Sequence, residues 1–285
     1  MIQPLLRDND LLADIRAAHQ QPDVLHLWWL GQSGYLVQWQ GRHLLLDPYL
    51  SDSLTRKYAN TAKPHVRMTE IPIAPERLDF VDVVTSSHNH TDHLDGETLG
   101  PLLRVNPELQ VIVSAANRAF AADRLQVGME RLTPIMLDVP LFSGGFIFHA
   151  VPAAHEQIEQ DEQGHHRYIG LIIEAGPWAI YHSGDTLLYA GIAGILRRWS
   201  IDIALLPING RDPKRGVAGN LSGIEAAYLG KAIRAGVVIP GHYAMFEFNT
   251  VAPDEFVQQA EALQQPYRVL QCGERFDLDS QKVCC

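Results

Sequence analysis

An α+β fold, with two β-sheets covered by helices, is what the order of apolar segments in this chain predicts. The early strand candidates follow one another as hairpins, whereas the later ones alternate with helical patterns. A composition of 46% hydrophobic and 20% charged residues leaves enough apolar side chains to fill a core between such layers.

Apolar residues Leu5, Leu6, Leu11, Leu12 and Ile15 recur at helical spacing and predict an amphipathic N-terminal helix over Leu5 to Ala18. Leu25 to Leu30, Tyr35 to Gln38 and His43 to Leu46 read as strands. Gln40-Gly41 turns the second into the third, and Asp47-Pro48 stops the third. Further strands are expected at Val81–Thr85, Val111–Val113, Phe146–Val151, Tyr168–Ile173, Ala179–Tyr181, Ile201–Leu206, Val237–Ile239 and Arg268–Leu270. Helical patterns cover Arg118–Leu125, Leu187–Trp199, Gly223–Ala235 and Asp254–Gln264, and the polar stretch Gln157–His166 reads as a hairpin loop. No low-complexity linker, charge run or short repeat interrupts the chain, so residues 1–285 are expected to form a single domain.

The densest chemistry lies in Ser87-His88-Asn89-His90-Thr91-Asp92-His93-Leu94-Asp95, directly after an apolar strand. Metal ligation needs lone pairs converging within about 2.0–2.2 Å of one point, and imidazoles with a carboxylate suit a borderline divalent metal. In an extended segment His88 and His90 share a side, while Asp92 and His93 fit a chain beginning to turn into a helix. One short segment thus offers ligands to two adjacent positions. Four ligands cannot complete two coordination shells, so partners are sought at other strand ends. His155, Asp185 (after Gly184) and His242 (after Gly241) each follow one.

The ordered set His88-x-His90-x-Asp92-His93, His155, Gly184-Asp185 and Gly241-His242 resembles the metallo-β-lactamase superfamily, over roughly Leu25 to Leu270. The resemblance implies a four-layer αββα sandwich with its metal site at one edge. It implies one position served by His88, His90 and His155, and a second served by Asp92, His93 and His242, with Asp185 bridging. It further implies that a metal-activated water is the nucleophile, oriented by Asp92 or the bridging group. Trp29-Leu30-Gly31-Gln32-Ser33-Gly34, Leu46-Asp47-Pro48-Tyr49-Leu50-Ser51, Pro72-Ile73-Ala74-Pro75 and the run Asn209 to Asn220 are similar to the ascorbate 6-phosphate lactonase-like branch. The motif is shared with the N-acyl phosphatidylethanolamine phospholipase D-like branch, which keeps a phosphodiester substrate open.

Arg211, Lys214 and Arg215 place three cations in a glycine-containing loop after a strand, a candidate phosphate holder or simply a solvated basic loop. Asp47 is either a carboxylate orienting a ligand imidazole or a turn-forming Asp-Pro. Gln32 and Tyr243 are candidate substrate contacts, and Trp28-Trp29 reads as core. The expected cofactor is zinc or manganese, as one or two ions. The leading function is hydrolysis of a small, phosphorylated lactone or ester, with a metallo-phosphodiesterase as the alternative. A net charge of −10 argues against nucleic-acid and anionic-membrane partners, leaving a small-molecule substrate and room for a homo-oligomer. His at position 90 argues against a di-iron oxygen or nitric oxide reductase. Cys272, Cys284 and Cys285 form neither a disulfide framework nor a structural zinc shell near the motif. With neither a signal pattern nor a membrane-length apolar run, a reducing cytoplasm is the expected setting.

Overall fold

Side chains along the central strands are buried on both faces and alternate between two cores, because each sheet covers one face with its partner and the other with helices. In the computed structural model, which describes residues 1–279, strand β1 (Val24–Gly31) divides its side chains in this way. Leu25, Leu27 and Trp29 join the core between the sheets, whereas Trp28 and Leu30 join the core beneath the helices. The first sheet continues through β2 (Gly34–Trp39), β3 (Arg42–Leu46), β4 (Val83–Ser86), β5 (Gln110–Ser114) and β6 (Leu132–Ile135). Its strand order is β13-β1-β2-β3-β4-β5-β6, with β13 spanning Arg275–Asp279.

The second sheet runs β12-β11-β10-β9-β8-β7. These strands are β7 (Leu141–Ser143), β8 (Phe146–Pro152), β9 (Ile169–Ala175), β10 (Trp178–His182), β11 (Ile203–Pro207) and β12 (Val237–Gly241). Helices α1 (Asp8–Ala18), α3 (Gly96–Val105) and α4 (Arg118–Leu125) bury Leu11, Ile15, Leu99, Leu102 and Ala121 against the outer face of the first sheet. Helix α6 (Gly223–Ile233) packs on β11 and β12, and α7 (Asp254–Ala262) on α6. Short helices α2 (Ser53–Tyr58) and α5 (Ile192–Leu196) complete the set. This is the αββα arrangement expected.

Strands β3 and β4 run parallel, and β10, β11 and β12 run parallel in the other sheet. Strand β8 pairs antiparallel with β9, which pairs antiparallel with β10, so β8 points the same way as β10. The C-terminal ends of β3, β4, β8, β10 and β12 therefore gather the segments that carry Asp47, His88, His155, Asp185 and His242.

The hairpin turn falls at Gln40-Gly41, with φ of 48° and 76°, the left-handed pair that matches the twist of flanking strands. Several expectations need correction. The helix read over Leu187–Trp199 shrinks to Ile192–Leu196, because Gly191 takes a left-handed φ of 92° and stands as its N-cap, so no helix can run through it. Arg268–Leu270 forms no strand and contributes only a bridge between Val238 and neighbouring Tyr267. The pattern did not reveal β6, β7, β13, α2 or α3. Helix α3 carries Gly100 and Pro101 internally and starts from an Asp95 cap, whose side chain accepts from the Glu97 N–H. Cys284 and Cys285 lie outside the described residues.

Candidate metal centre

The segment after β4 makes one helical turn, with the N–H groups of His93 and Leu94 donating to the His90 carbonyl at 3.1 and 2.8 Å. That turn separates two sets of ligands. His88, His90 and His155 place ligand atoms within 4.8 Å of one another, and so do Asp92, His93 and His242. Asp185 stands between them. Its carboxylate oxygens lie 3.3 Å from His93 Nε2, 3.4 Å from His155 Nε2 and 3.4 Å from His242 Nε2. Asp92 Oδ2 is 3.6 Å from His242 Nε2 and 3.8 Å from His93 Nε2. Four donors about 2.1 Å from a shared tetrahedral centre stand about 3.4 Å apart, so these spacings suit a cation.

Buried lone pairs make the same case. His88 Nε2, His93 Nε2 and Asp185 Oδ1 are sealed from water and have no hydrogen-bond partner, an expensive state for polar atoms unless a ligand satisfies them. The opposite ring nitrogens are held. His93 Nδ1 lies 2.7 Å from Asp47 Oδ2, and His155 Nδ1 lies 3.0 Å from the Gly219 carbonyl. A carbonyl can only accept, so His155 carries its proton on Nδ1 and leaves Nε2 free to ligate. Burial pushes His88 well below its ordinary pKa, which keeps that imidazole a neutral donor. Burial alone would raise Asp185 and Asp92, but the surrounding imidazoles outweigh it and hold both carboxylates below their usual range. Burial would lower His93 and His242, but the same carboxylates push both above their ordinary values, so a cation and a proton compete for those two nitrogens, whereas burial keeps His88 and His90 low. Imidazole donors with two ionised carboxylates fit a divalent metal.

Asp47 is fully buried and accepts from the Ser87 N–H (3.0 Å), the Thr85 hydroxyl (3.1 Å) and the Ser87 hydroxyl, besides facing His93. These contacts explain why Asp47, His88 and His93 also cluster: Asp47 faces the imidazole nitrogen that a ligating His93 would turn away from a metal. Gly184 (φ 56°) precedes Asp185, and a Cβ there would come within 2.7 Å of Ser87 and 2.9 Å of the Ile169 carbonyl.

Other residues singled out in the sequence sit elsewhere than expected. Gln32 is buried, and its amide nitrogen donates to Asp92 Oδ2 at 2.8 Å and lies 3.1 Å from His242 Nε2. It touches two candidate ligands and does not line the open cavity. Tyr243 is buried against Trp29, with ring centroids 4.6 Å apart, and its hydroxyl donates to the Leu270 carbonyl at 2.5 Å. Arg211 pairs with Glu225 at 2.7 Å, and Arg215 donates to the Asn209 carbonyl. Arg211, Lys214 and Arg215 are all absent from the cavity wall.

That cavity, about 310 Å³, opens on His90, Asp92, His155, Asp185 and His242. Its other walls include Lys57, Tyr58, His65, Arg124, Phe246 and Phe248, none of which the sequence singled out. Arg124 donates to the Asn89 and Leu94 carbonyls at 2.6 and 3.2 Å, pinning the ligand-bearing turn from α4. No pattern in the sequence signals that role.

Among known proteins, the chain is 28% identical over 246 residues to a UPF0173 metal-dependent hydrolase of Caldivirga maquilingensis, covering 86% of this chain and 93% of that one. Among solved structures it resembles Igni18, a metallo hydrolase of Ignicoccus hospitalis, with a TM-score of 0.65, 23% identity and coverage of 90% and 99%. It also resembles an isothiocyanate hydrolase from Delia radicum gut bacteria, with a TM-score of 0.70, 17% identity and coverage of 90% and 99%. These two structural likenesses establish a shared fold. The family model of the beta-lactamase superfamily domain matches residues 42–243, which hold the whole ligand cluster, and the chain belongs to that family.

Proposed function

We propose that this chain is a metal-dependent hydrolase of small esters or lactones, using zinc or manganese. The observation that carries the reading is the Asp185 carboxylate, 3.3–3.4 Å from three imidazole nitrogens, at the wall of a cavity sized for a small molecule. Divalent ions held by that ligand set supply Lewis acidity and lower the pKa of a water towards neutrality. Asp92, on the cavity wall and anchored by the Gln32 amide, orients the attacking water. Arg124 keeps the His90–Asp92 turn in place through its two carbonyl contacts.

The likeness to a UPF0173 metal-dependent hydrolase supports the reaction class, and the segments Trp29–Gly34 and Leu46–Ser51 support a lactonase-like branch. A phosphorylated substrate held by Arg211, Lys214 and Arg215 gains no support from their placement, since none lines the cavity. The net charge of −10 favours a small-molecule partner over nucleic acid. A buried free thiol at Cys272 accords with a reducing, cytoplasmic setting, and no helix among the described residues is long and apolar enough to cross a membrane.

The test is metal content per chain, followed by assays of the zinc- and manganese-loaded protein on lactones, carboxylic esters and bis(4-nitrophenyl) phosphate. Metal-dependent ester or lactone hydrolysis is expected, falling at least about a hundredfold in Asp185→Ala and His90→Ala with the circular dichroism unchanged. Turnover of the phosphodiester alone would replace this reading with the phosphodiesterase alternative. Failure to take up any divalent metal would overturn both.

A further inference from the structure

Besides the ligand cluster, the cavity is lined by a group of aromatic rings. His65 stacks on Tyr58 with ring centroids 4.2 Å apart and planes inclined by 20°. Phe248 meets the same imidazole at 4.4 Å and Phe246 at 5.2 Å, so three rings brace one. His65 Nδ1 lies 3.2 Å from the Lys63 carbonyl, which can only accept, so the proton sits on Nδ1 and the orientation of the ring is fixed. All four rings line the cavity that also opens on His90, Asp92 and Asp185. A metal site needs none of them. A rigid aromatic surface beside reacting groups gives affinity for flat apolar groups at little entropic cost.

One cation stands at the edge of this wall. Lys57 lies 5.1 Å above the Tyr58 ring, is exposed and enters no ion pair among the described residues. Its basic neighbours are committed: Arg56 to Glu97, Arg67 to Asp52 and Lys63 to the Arg215 carbonyl. Arg124, the other cation on the cavity wall, is engaged with the carbonyls of the metal-binding turn. Lys57 is therefore the cavity-lining cation left for a ligand.

We infer that the Tyr58–His65–Phe248 wall and Lys57 bind the non-reacting half of the substrate, a flat aromatic group carrying an anionic substituent. The inference rests on the hydrolase reading and narrows its substrate class to anionic aryl esters or aryl-substituted lactones. It moves the anion from the Arg211–Arg215 loop, one of two readings the sequence left open for those cations, to α2. The Lys57 ammonium is a point charge without a fixed fork, so carboxylate and phosphate satisfy it alike.

Calorimetric titration of the metal-loaded protein with four non-hydrolysable probes separates the contributions. Two carry a ring, 2-naphthoate and phenylphosphonate, and two lack one, acetate and methylphosphonate. The aryl probes are expected to bind at least tenfold more tightly than their ring-free counterparts. Phe248→Ala and His65→Ala should each remove most of that increment, and Lys57→Ala should weaken both aryl anions severalfold. Lys57 is exposed and Phe248 is only partly buried at the edge of the Tyr49–Phe246 cluster, so those two variants keep the test available if His65→Ala fails to fold. Equal affinity for aryl and ring-free probes, or an aryl increment that survives in Phe248→Ala, overturns the inference. An intact increment in a protein that hydrolyses no ester or lactone would instead overturn the hydrolase reading and leave the aryl-anion site standing.

Discussion

Replacing Asp47 by Asn changes one atom of the side chain and separates the two roles that this residue can have. The carboxylate is fully buried, with Oδ1 accepting from Thr85 and the Ser87 N–H and Oδ2 facing His93 Nδ1 at 2.7 Å. Asparagine keeps the volume, tolerates the left-handed φ of 38° and can still accept from the Thr85 hydroxyl and the Ser87 N–H through its one oxygen, while the Ser87 hydroxyl, which donates to Oδ2, must turn to accept from the new NH2. Its NH2 group then meets the His93 Nδ1–H, donor against donor. Relief requires His93 to move its proton to Nε2, the nitrogen that faces Asp185 and Asp92. That proton removes the lone pair needed for ligation. Leaving one buried donor unmatched costs about 1–3 kcal/mol, equivalent to roughly a 5- to 150-fold loss of metal affinity. Asp47→Ala is a poorer probe, because it strands the Ser87 N–H, the Thr85 hydroxyl and His93 together, about 3–9 kcal/mol in sum. Metal affinity by chelator competition, paired with thermal unfolding of the metal-free protein, reads the two roles apart. A full wild-type affinity in Asp47→Asn would refute the tautomer argument and reduce Asp47 to the residue that turns the chain after β3.

Four further outcomes follow from the same coordinates. Gln32→Ala should raise the metal affinity of the Asp92–His93–His242 position severalfold, since the Gln32 amide and a cation contend for Asp92 Oδ2 and His242 Nε2; stoichiometry by elemental analysis after dialysis checks this. Stripping the metal with chelator should lower the melting temperature by about 5–10 °C at metal concentrations near a hundred times Kd, measured by circular dichroism. Burial, with His19 nearby, holds His43 down at about 4, so between pH 6.5 and 4 the unfolded chain binds the extra proton. Stability should fall by about 3 kcal/mol as pH drops through that window, a loss that denaturant titrations of His43→Phe should show to be largely absent. Burial also pushes the Cys272 thiol up to about 12; in a Cys284→Ser, Cys285→Ser background it should resist a thiol reagent at pH 8 until the protein is unfolded.

What could be read from the sequence was whatever one segment states by itself. His88, His90, Asp92 and His93 fall within six residues, and their spacing encodes the turn that separates two ligand groups. His155, Asp185 and His242 were legible as polar residues directly after apolar runs, because a strand end is marked locally even when its neighbours in space are not. The substrate side of the cavity has no such mark. Tyr58 and His65 meet Phe246 and Phe248 only after the chain has built both sheets, and an isolated aromatic reads as core. The basic loop misled for the converse reason: three cations close in sequence look like a site, yet Glu225 and the Asn209 carbonyl already claim two of them. Strand β13 escaped notice because Arg275-Phe276-Asp277-Leu278-Asp279 alternates charge with apolar residues at an edge, held by Arg275 and Asp277 paired at 3.1 Å.

Backbone strain is placed where the ligands converge. Gln32, Asp47 and His242 are non-glycine residues with φ of 52°, 38° and 60°, a conformation that costs of order 1–3 kcal/mol each. Each lies immediately or one residue beyond a strand end, and each touches the ligand cluster or belongs to it. Gly184, at φ 56°, adopts the same left-handed turn one residue before Asp185. A strand that continued straight would carry its next side chain along the sheet and out to solvent. A left-handed residue at the end reverses the chain within one peptide, so that the side chain emerges over the rim where both sheets terminate. The packing that supports this strain is the core behind it: Trp29 lies against Tyr243, and the Trp29 indole N–H donates to the Gln32 carbonyl at 3.0 Å. The His242 N–H donates to that same carbonyl at 2.9 Å, joining the rims of the two sheets through a single oxygen. Tyr243, singled out in the sequence as a substrate contact, thus serves the site from behind, by holding the turn that presents His242.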